Sequence, residues 1–174
     1  ARKGPLVFLP SHKSHVDYLI ISDALYARGL APPLIAAGDN LSFFPLGPFL
    51  RRSGAFFIKR SFKGKKLYPH LVDAYVRKVL GLGHHLELFV EGGRSRTGKL
   101  LPPKLGILSM IVDAALKLDP ASGSGHEIQF VPVSIGYERI IEEGSYVHEL
   151  EGGEKKAESV GGLIESRRVL RSKY

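Results

Sequence analysis

Four segments of the chain hold residues whose types and spacing could do chemistry. The first is Ser11-His-Lys-Ser-His-Val-Asp17, in which His12 and Asp17 stand five positions apart. Residues three or four apart meet on one helix face, and residues five apart do not. The pair is therefore useful only if a turn ahead of a helix folds the imidazole back onto the carboxylate. Such a pairing orients the ring and raises its basicity, which a general base requires. The same residues also fit a plain structural use, with Asp17 as a charge in a first helical turn and Ser11 or Ser14 as a cap.

The second segment, Ser53-Gly-Ala-Phe-Phe-Ile-Lys-Arg60, is a short apolar run that delivers Lys59 and Arg60 at its end. A guanidinium grips phosphate in a bidentate way and a lysine adds a point charge. A basic strand end facing water is the alternative. The third segment, Phe89-Val-Glu-Gly-Gly-Arg-Ser-Arg-Thr-Gly98, is the densest. Gly92 and Gly93 let backbone amides approach an anion. Arg94 and Arg96 add charge, Ser95 and Thr97 add donors, and Glu91 beside the arginines could hold the loop in shape. It is neither a Walker loop nor a dinucleotide fingerprint. The fourth segment is Val131-Pro-Val-Ser-Ile-Gly-Tyr137. A strand carrying Pro132 belongs at a sheet edge or a bulge, where it could line a site or serve as ordinary core. His70 and Asp73 form a further pair, but they sit mid-helix among apolar neighbours and read as surface.

The elements that must position these groups follow from hydrophobic period. Apolar runs at Pro5 to Leu9, Pro33 to Ala37, Ala55 to Ile58, Leu86 to Val90 and Ile128 to Ile135 predict strands. Helices are predicted over Ser11 to Gly29, over Leu67 to Leu82 with Leu71, Ala74, Tyr75, Val79 and Leu82 as its stripe, and over Leu105 to Leu118. Leu41 to Leu50, interrupted by Pro45, Gly47 and Pro48, predicts a broken or short helix whose Phe43, Phe44 and Phe49 either pack in the core or meet an acyl chain or bilayer. Asp119 to Gly125 predicts a loop, and the polar remainder a helix. Strands alternating with helices give an α/β layered domain, and such sheets bring strand ends to one rim where ligands bind. Arg60 and Arg94 are expected there together.

Composition bounds the partners. The 174 residues are 44% hydrophobic and 24% charged, with a net charge of +8, which suits a single globular domain and a nucleic acid, an anionic membrane or a phosphorylated small molecule as partner. The basic residues gather at strand ends beside glycines rather than along a face with exposed aromatics, so nucleic acid is not expected. The chain has no cysteine, which removes a disulfide scaffold, a thiolate metal site and a Cys nucleophile. It has no apolar run of the ~18 residues that a membrane span needs and no secretory signal pattern. It starts almost directly on an apolar strand and stops inside the charged stretch Glu165 to Tyr174, so residues 1–174 read as a piece of a longer protein.

Taken together and in this order, the four segments resemble the motifs of the glycerolipid acyltransferases: a His-x4-Asp block, a Gly-x-x-Phe-Ile-x-Arg block, a Phe-x-Glu-Gly-x-Arg-Ser block and a late Val-Pro block. Ser53 to Arg60, with Phe62, Lys63, Gly64 and Lys66-Leu-Tyr68 after it, is similar to the bacterial membrane glycerol-3-phosphate acyltransferases and their dihydroxyacetone-phosphate relatives. Val90 to Lys99, and also Tyr146 to Ser159, look like the glycerol-3-phosphate branch. Lysophosphatidic acid acyltransferases usually show an Asn before the His and a Pro-Glu-Gly-Thr-Arg sequence, where this chain has Ser11 and Val90-Glu-Gly-Gly-Arg94.

The resemblance implies an α/β fold, a single layered domain with a mixed, mostly parallel sheet flanked by helices, that forms the catalytic core of the longer chain. It implies His12 as general base with Asp17 as its partner. Arg60, Glu91 and Arg94 are implied at the phosphate-substrate site, with Lys59, Gly92, Gly93, Ser95 and Arg96 beside them and Ser14 near the base. The implied reaction moves a fatty acyl group from acyl-CoA or acyl carrier protein to the sn-1 hydroxyl of glycerol 3-phosphate, the first step of phospholipid synthesis, with no metal or cofactor. Dihydroxyacetone phosphate is the other acceptor. The implied location is the cytoplasmic face of a membrane, the inner membrane of a bacterium. A reading from another class, a non-catalytic basic domain that binds phosphate or nucleic acid, would leave the His12 and Asp17 pair without a purpose.

Overall fold

The five apolar runs become strands in the computed structural model, which describes residues 4–14, 16–118, 127–138, 146–147 and 151. They are β1 (Leu6–Pro10), β2 (Leu34–Gly38), β3 (Ala55–Ile58), β4 (Leu86–Glu87) and β5 (Gln129–Val133). They form one sheet in the order β3-β2-β4-β1-β5. Each described pairing is parallel, so the domain is the expected layered α/β kind, but among the described residues its sheet is parallel throughout rather than mixed. A parallel sheet is covered on both faces, which is why its strands read as continuous apolar runs rather than alternating ones.

The helices are α1 (Asp17–Tyr26), α2 (Leu46–Arg52), α3 (Tyr68–Gly81) and α4 (Leu105–Lys117), with a single 3-10 turn at Asp39–Leu41. Neighbouring strand residues point to opposite faces, and Val7 and Phe8 show it. Val7 joins Leu86, Val76, Leu80, Ile111 and Ala114 in the core between the sheet, α3 and α4. Phe8 joins Ile21 of α1 and Ile135 on the other face. Among the described residues no helix is long and apolar enough to cross a membrane.

Four local expectations are corrected. First, α1 begins at Asp17, not Ser11, because the Asp17 carboxylate accepts hydrogen bonds from the amides of Lys13 and Ser14 and bends the preceding residues into a turn. Second, α3 buries Val72, Val76, Val79 and Leu80, while Leu71, Tyr75 and Leu82 are exposed. The helix carries two overlapping apolar stripes, and periodicity does not say which one faces the sheet. Third, β4 stops at Glu87 rather than Val90, since the chain turns at once to place the Glu91 loop, with the Gly92 amide on the Phe89 carbonyl at 2.9 Å. Fourth, β5 is Gln129–Val133, shorter than Ile128 to Ile135.

The edge placement expected from Pro132 holds: β5 ends the sheet, with Pro132 opposite Leu9. The interrupted segment yields only α2, and its aromatics are not core, since Phe44 is 85% and Phe49 63% exposed. The loop over Asp119 to Gly125 lies outside the described residues, as does the stretch Glu165 to Tyr174.

Candidate active site

β1 ends at Pro10, and Ser11 fastens that end to β5. Its amide donates to the Val133 carbonyl at 2.9 Å, and its hydroxyl accepts from the Ile135 amide at 3.1 Å. The following turn brings His12 back over the start of α1. His12 Nδ1 lies 2.9 Å from Asp17 Oδ2. The same oxygen accepts from the Lys13 amide at 2.7 Å and the Ser14 amide at 2.9 Å, and Tyr137 donates its hydroxyl to Oδ1. Asp17 is fully buried, and burial by itself pushes its pKa up. The hydrogen bonds from His12, Tyr137 and the Ser14 and Lys13 amides outweigh that and hold it below its ordinary value. An ionised Asp17 requires Nδ1 to carry the proton, which leaves the lone pair of the neutral ring on Nε2. The ring also leans on Phe89, with centroids 4.1 Å apart and planes tilted by 34°.

The loop after β4 grips the backbone of His12 from two sides. Glu91 Oε1 accepts from the His12 amide at 2.9 Å, and the Ser95 amide donates to the His12 carbonyl at 2.7 Å. The other Glu91 oxygen accepts from the Leu101 amide at 2.7 Å. Gly92 is at φ +60°, and a Cβ there would meet Lys104 Cδ at 2.7 Å. The left-handed backbone favours glycine, and any side chain there would also have to displace the flexible end of Lys104.

A cavity of about 530 Å³ opens beside this turn, within the usual range for ligand sites. Its lining includes His12, Lys59, Arg60, Gly92, Gly93 and Arg94, together with Lys104. The rest is largely apolar, from Leu19, Ile35, Leu50, Phe62, Leu88 and Ile107. Lys59 leans on Tyr68, its amide 3.1 Å from the hydroxyl and its ammonium 5.7 Å from the ring centroid. Arg60 and Arg94, expected at one rim, both stand in this wall.

Five of the site residues expected from sequence are not in the wall. Asp17 lies behind His12. Glu91 faces backbone amides rather than the cavity or the arginines, since both of its oxygens are occupied by His12 and Leu101. Ser95 is buried and donates its hydroxyl to the Lys99 carbonyl. Arg96 lies against Tyr146, 6.0 Å from the ring centroid. Ser14 is fully buried beside Asp17. His70 is exposed and Asp73 pairs with Arg77 one helical turn on, as their surface reading requires.

Sequence reasoning missed Lys104, Tyr146 and the part played by Tyr137. Tyr137 closes the fourth segment, and a hydroxyl just past a strand that neighbours β1 was a usable signal. Lys104 offered none, and Tyr146 only its place at the head of the stretch that resembles the glycerol-3-phosphate branch. Glu87 was missed as well. It is fully buried in the central strand β4, between Phe8 and Ile35, and neither carboxyl oxygen has a hydrogen-bond partner. Burial, and then the negative charge of Asp17, push its pKa up to about 8. Among the described residues no three His, Asp or Glu side chains are grouped to hold a metal ion.

Residues 1–136 match the model of the family described as Acyltransferase. The fold can be laid over the crystal structure of the 1-acyl-sn-glycerophosphate (LPA) acyltransferase PlsC from Thermotoga maritima. The two share 18% identity at a TM-score of 0.45, over 86% of this chain and 64% of that one.

Proposed function

The chain belongs to the Acyltransferase family, and from that premise we propose that it moves a fatty acyl group from acyl-CoA or acyl carrier protein to the sn-1 hydroxyl of glycerol 3-phosphate. Dihydroxyacetone phosphate is the alternative acceptor. The observation that supports this reading best is that His12, paired with Asp17 behind it, shares one cavity with Lys59, Arg60 and Arg94, while much of the remaining lining is apolar. A base, an anion site and a greasy wall are what a phosphorylated alcohol and an acyl thioester need together.

In this mechanism His12 Nε2 accepts the proton of the acceptor hydroxyl as its oxygen attacks the thioester carbonyl. Asp17, held ionised by its four donors, stabilises the imidazolium that forms and fixes the tautomer. The tetrahedral intermediate collapses, the C–S bond breaks, and the imidazolium returns its proton to the departing thiolate. Lys59, Arg60 and Arg94 hold the acceptor's phosphate so that the hydroxyl lies near the base. Gly92 and Gly93 leave room for that phosphate. Glu91 positions His12 through its backbone. The exposed Phe44 and Phe49, with Arg51 and Arg52 in the last turn of α2, suit docking on an anionic bilayer at the cytoplasmic face, where acyl chains are supplied.

The test is acyl transfer by the full-length enzyme with both acceptors. His12→Ala should lower the rate by roughly 10²- to 10⁴-fold with little change in acceptor KM. Arg60→Ala and Arg94→Ala should mainly raise acceptor KM. Near-normal turnover by folded His12→Ala protein would refute the mechanism.

A further inference from the structure

Arg94 does not point at the cavity unaided. Tyr146, only 5% exposed, meets it from a part of the chain far from the phosphate loop. The Tyr146 hydroxyl accepts from Arg94 Nη1 at 2.8 Å and donates to the Lys13 carbonyl at 3.0 Å. Lys13 is the residue between His12 and Ser14, and its own amide donates to Asp17 at 2.7 Å. One phenol oxygen thus joins the arginine in the cavity wall to the turn that carries the base. Arg96 approaches the same ring at 6.0 Å, the outer reach of a cation–π contact.

We propose that Tyr146 is a positioning residue that aims Arg94 and ties it to the His12 turn, so that phosphate and reacting hydroxyl are held in one frame. The inference rests on the reading of Arg94 as a ligand of the acceptor's phosphate. The chemistry of the contact favours that use. The phenol is uncharged, so this contact restrains the guanidinium without itself neutralising it. The restraint lowers the rotamer freedom that a long side chain would otherwise lose on binding. The second bond, from the hydroxyl to Lys13, sets where Arg94 is held relative to the base. Misplacement on the scale of an ångström is enough to slow a positioned reaction.

The experiment is a double-mutant cycle on the full-length enzyme, reading acceptor KM, donor KM and kcat separately. Tyr146→Phe keeps the ring and removes the hydroxyl, and with it the bonds to Arg94 and Lys13. It should raise acceptor KM by roughly 10- to 150-fold, as expected for losing a hydrogen bond to a charged group, and leave donor KM in place. In the Arg94→Ala background the same change should move acceptor KM by no more than about 2-fold, because a residue that acts through Arg94 has nothing left to act on. Equal effects in both backgrounds would show a general structural role and overturn the proposal, as would an unchanged acceptor KM in Tyr146→Phe alone. If Arg94→Ala raises donor KM instead of acceptor KM, it is the reading of Arg94 that fails. The tie to Tyr146 is then judged by the same cycle on donor KM, and stands only if Tyr146→Phe raises that constant and loses its effect without Arg94. A thermal melt of each variant confirms that folded protein is compared.

Discussion

Glu87→Gln should make the protein more stable at neutral and alkaline pH and remove a steep pH dependence. In the unfolded chain a glutamate titrates near its ordinary 4.5, whereas in the fold burial and the facing Asp17 charge move Glu87 up to about 8. Below 4.5 both states hold the proton and Glu87 costs nothing through ionisation. Between 4.5 and 8 the folded state keeps a proton that the unfolded state has released, so stability falls as pH rises, by about 1.4 kcal/mol per pH unit. Above 8 both states are ionised and the loss levels off. With the two values about 3.5 apart, the full loss is on the order of 5 kcal/mol, a large fraction of the stability of an ordinary domain. A glutamine of the same shape does not ionise. It leaves its amide as short of partners as the protonated carboxyl was, so the two proteins should be close at pH 5. Urea unfolding of both at fixed ionic strength from pH 5 to 9 measures the difference, and the titrations they share cancel in it. The gap should widen steadily to pH 8 and then stay constant. A gap that does not change with pH would mean that Glu87 finds a partner or stays ionised in the fold, and the reasoning would fail.

Tyr137→Phe removes one donor to Asp17, whose lowered pKa makes its stabilisation present above the unfolded value and lost as pH falls through the folded one. The variant should lose about 1.5–3 kcal/mol at pH 7 and progressively less as pH falls through the lowered folded value of Asp17, as read by urea unfolding along that descent; a cost that stays constant until acid unfolds both proteins would contradict the assignment. Gly92→Ala should destabilise the phosphate loop by roughly 1–2 kcal/mol and raise acceptor KM, because the new methyl meets Lys104 and φ is positive; Lys104→Ala in the same chain should relieve only the contact. Phe44→Ser with Phe49→Ser should weaken flotation with vesicles containing anionic lipid, and raising the salt should weaken it further. Equal flotation with neutral vesicles would remove the electrostatic part of the docking proposal.

What the sequence made legible was whatever one element decides by itself. Ala55 to Ile58 is a strand with the bounds its apolar run predicts, since Gly54 before it and Lys59-Arg60 after it mark both ends within the sequence itself. Arg60 and Arg94 could be placed together because parallel topology carries strand ends to one rim. The hidden parts are those that two elements decide jointly. The exposed stripe of α3 is as apolar as the buried one, and only the sheet chooses between them. Tyr146 stands 52 positions from Arg94, with no period or motif to connect them. Glu91 looked like a partner for the arginines beside it, yet the amides of His12 and Leu101 reach it first. In Leu86-Glu-Leu88 the glutamate reads as the solvent side of an alternating strand, and the layer on that face of the sheet buries it.

The position of β1 within the sheet has a consequence for how the protein is made. Of the five described strands β1 is the first to leave the ribosome, but its neighbours are β4, around Leu86 and Glu87, and β5, where Gln129 lies opposite Leu6 and Val133 opposite Pro10. The strand that leads to the base must therefore wait, with both edges open, until β4 is made, and with one edge open until β5 follows. Its contacts lie at long sequence separation, which slows closure, and an unpaired apolar edge is a template for the wrong partner. The β2–β3 pair can form early from nearby segments and so can precede it. A nascent chain halted before β5 would hold every cationic residue named for the phosphate and still lack the bonds from Ser11 to Val133 and Ile135 that fasten the end of β1.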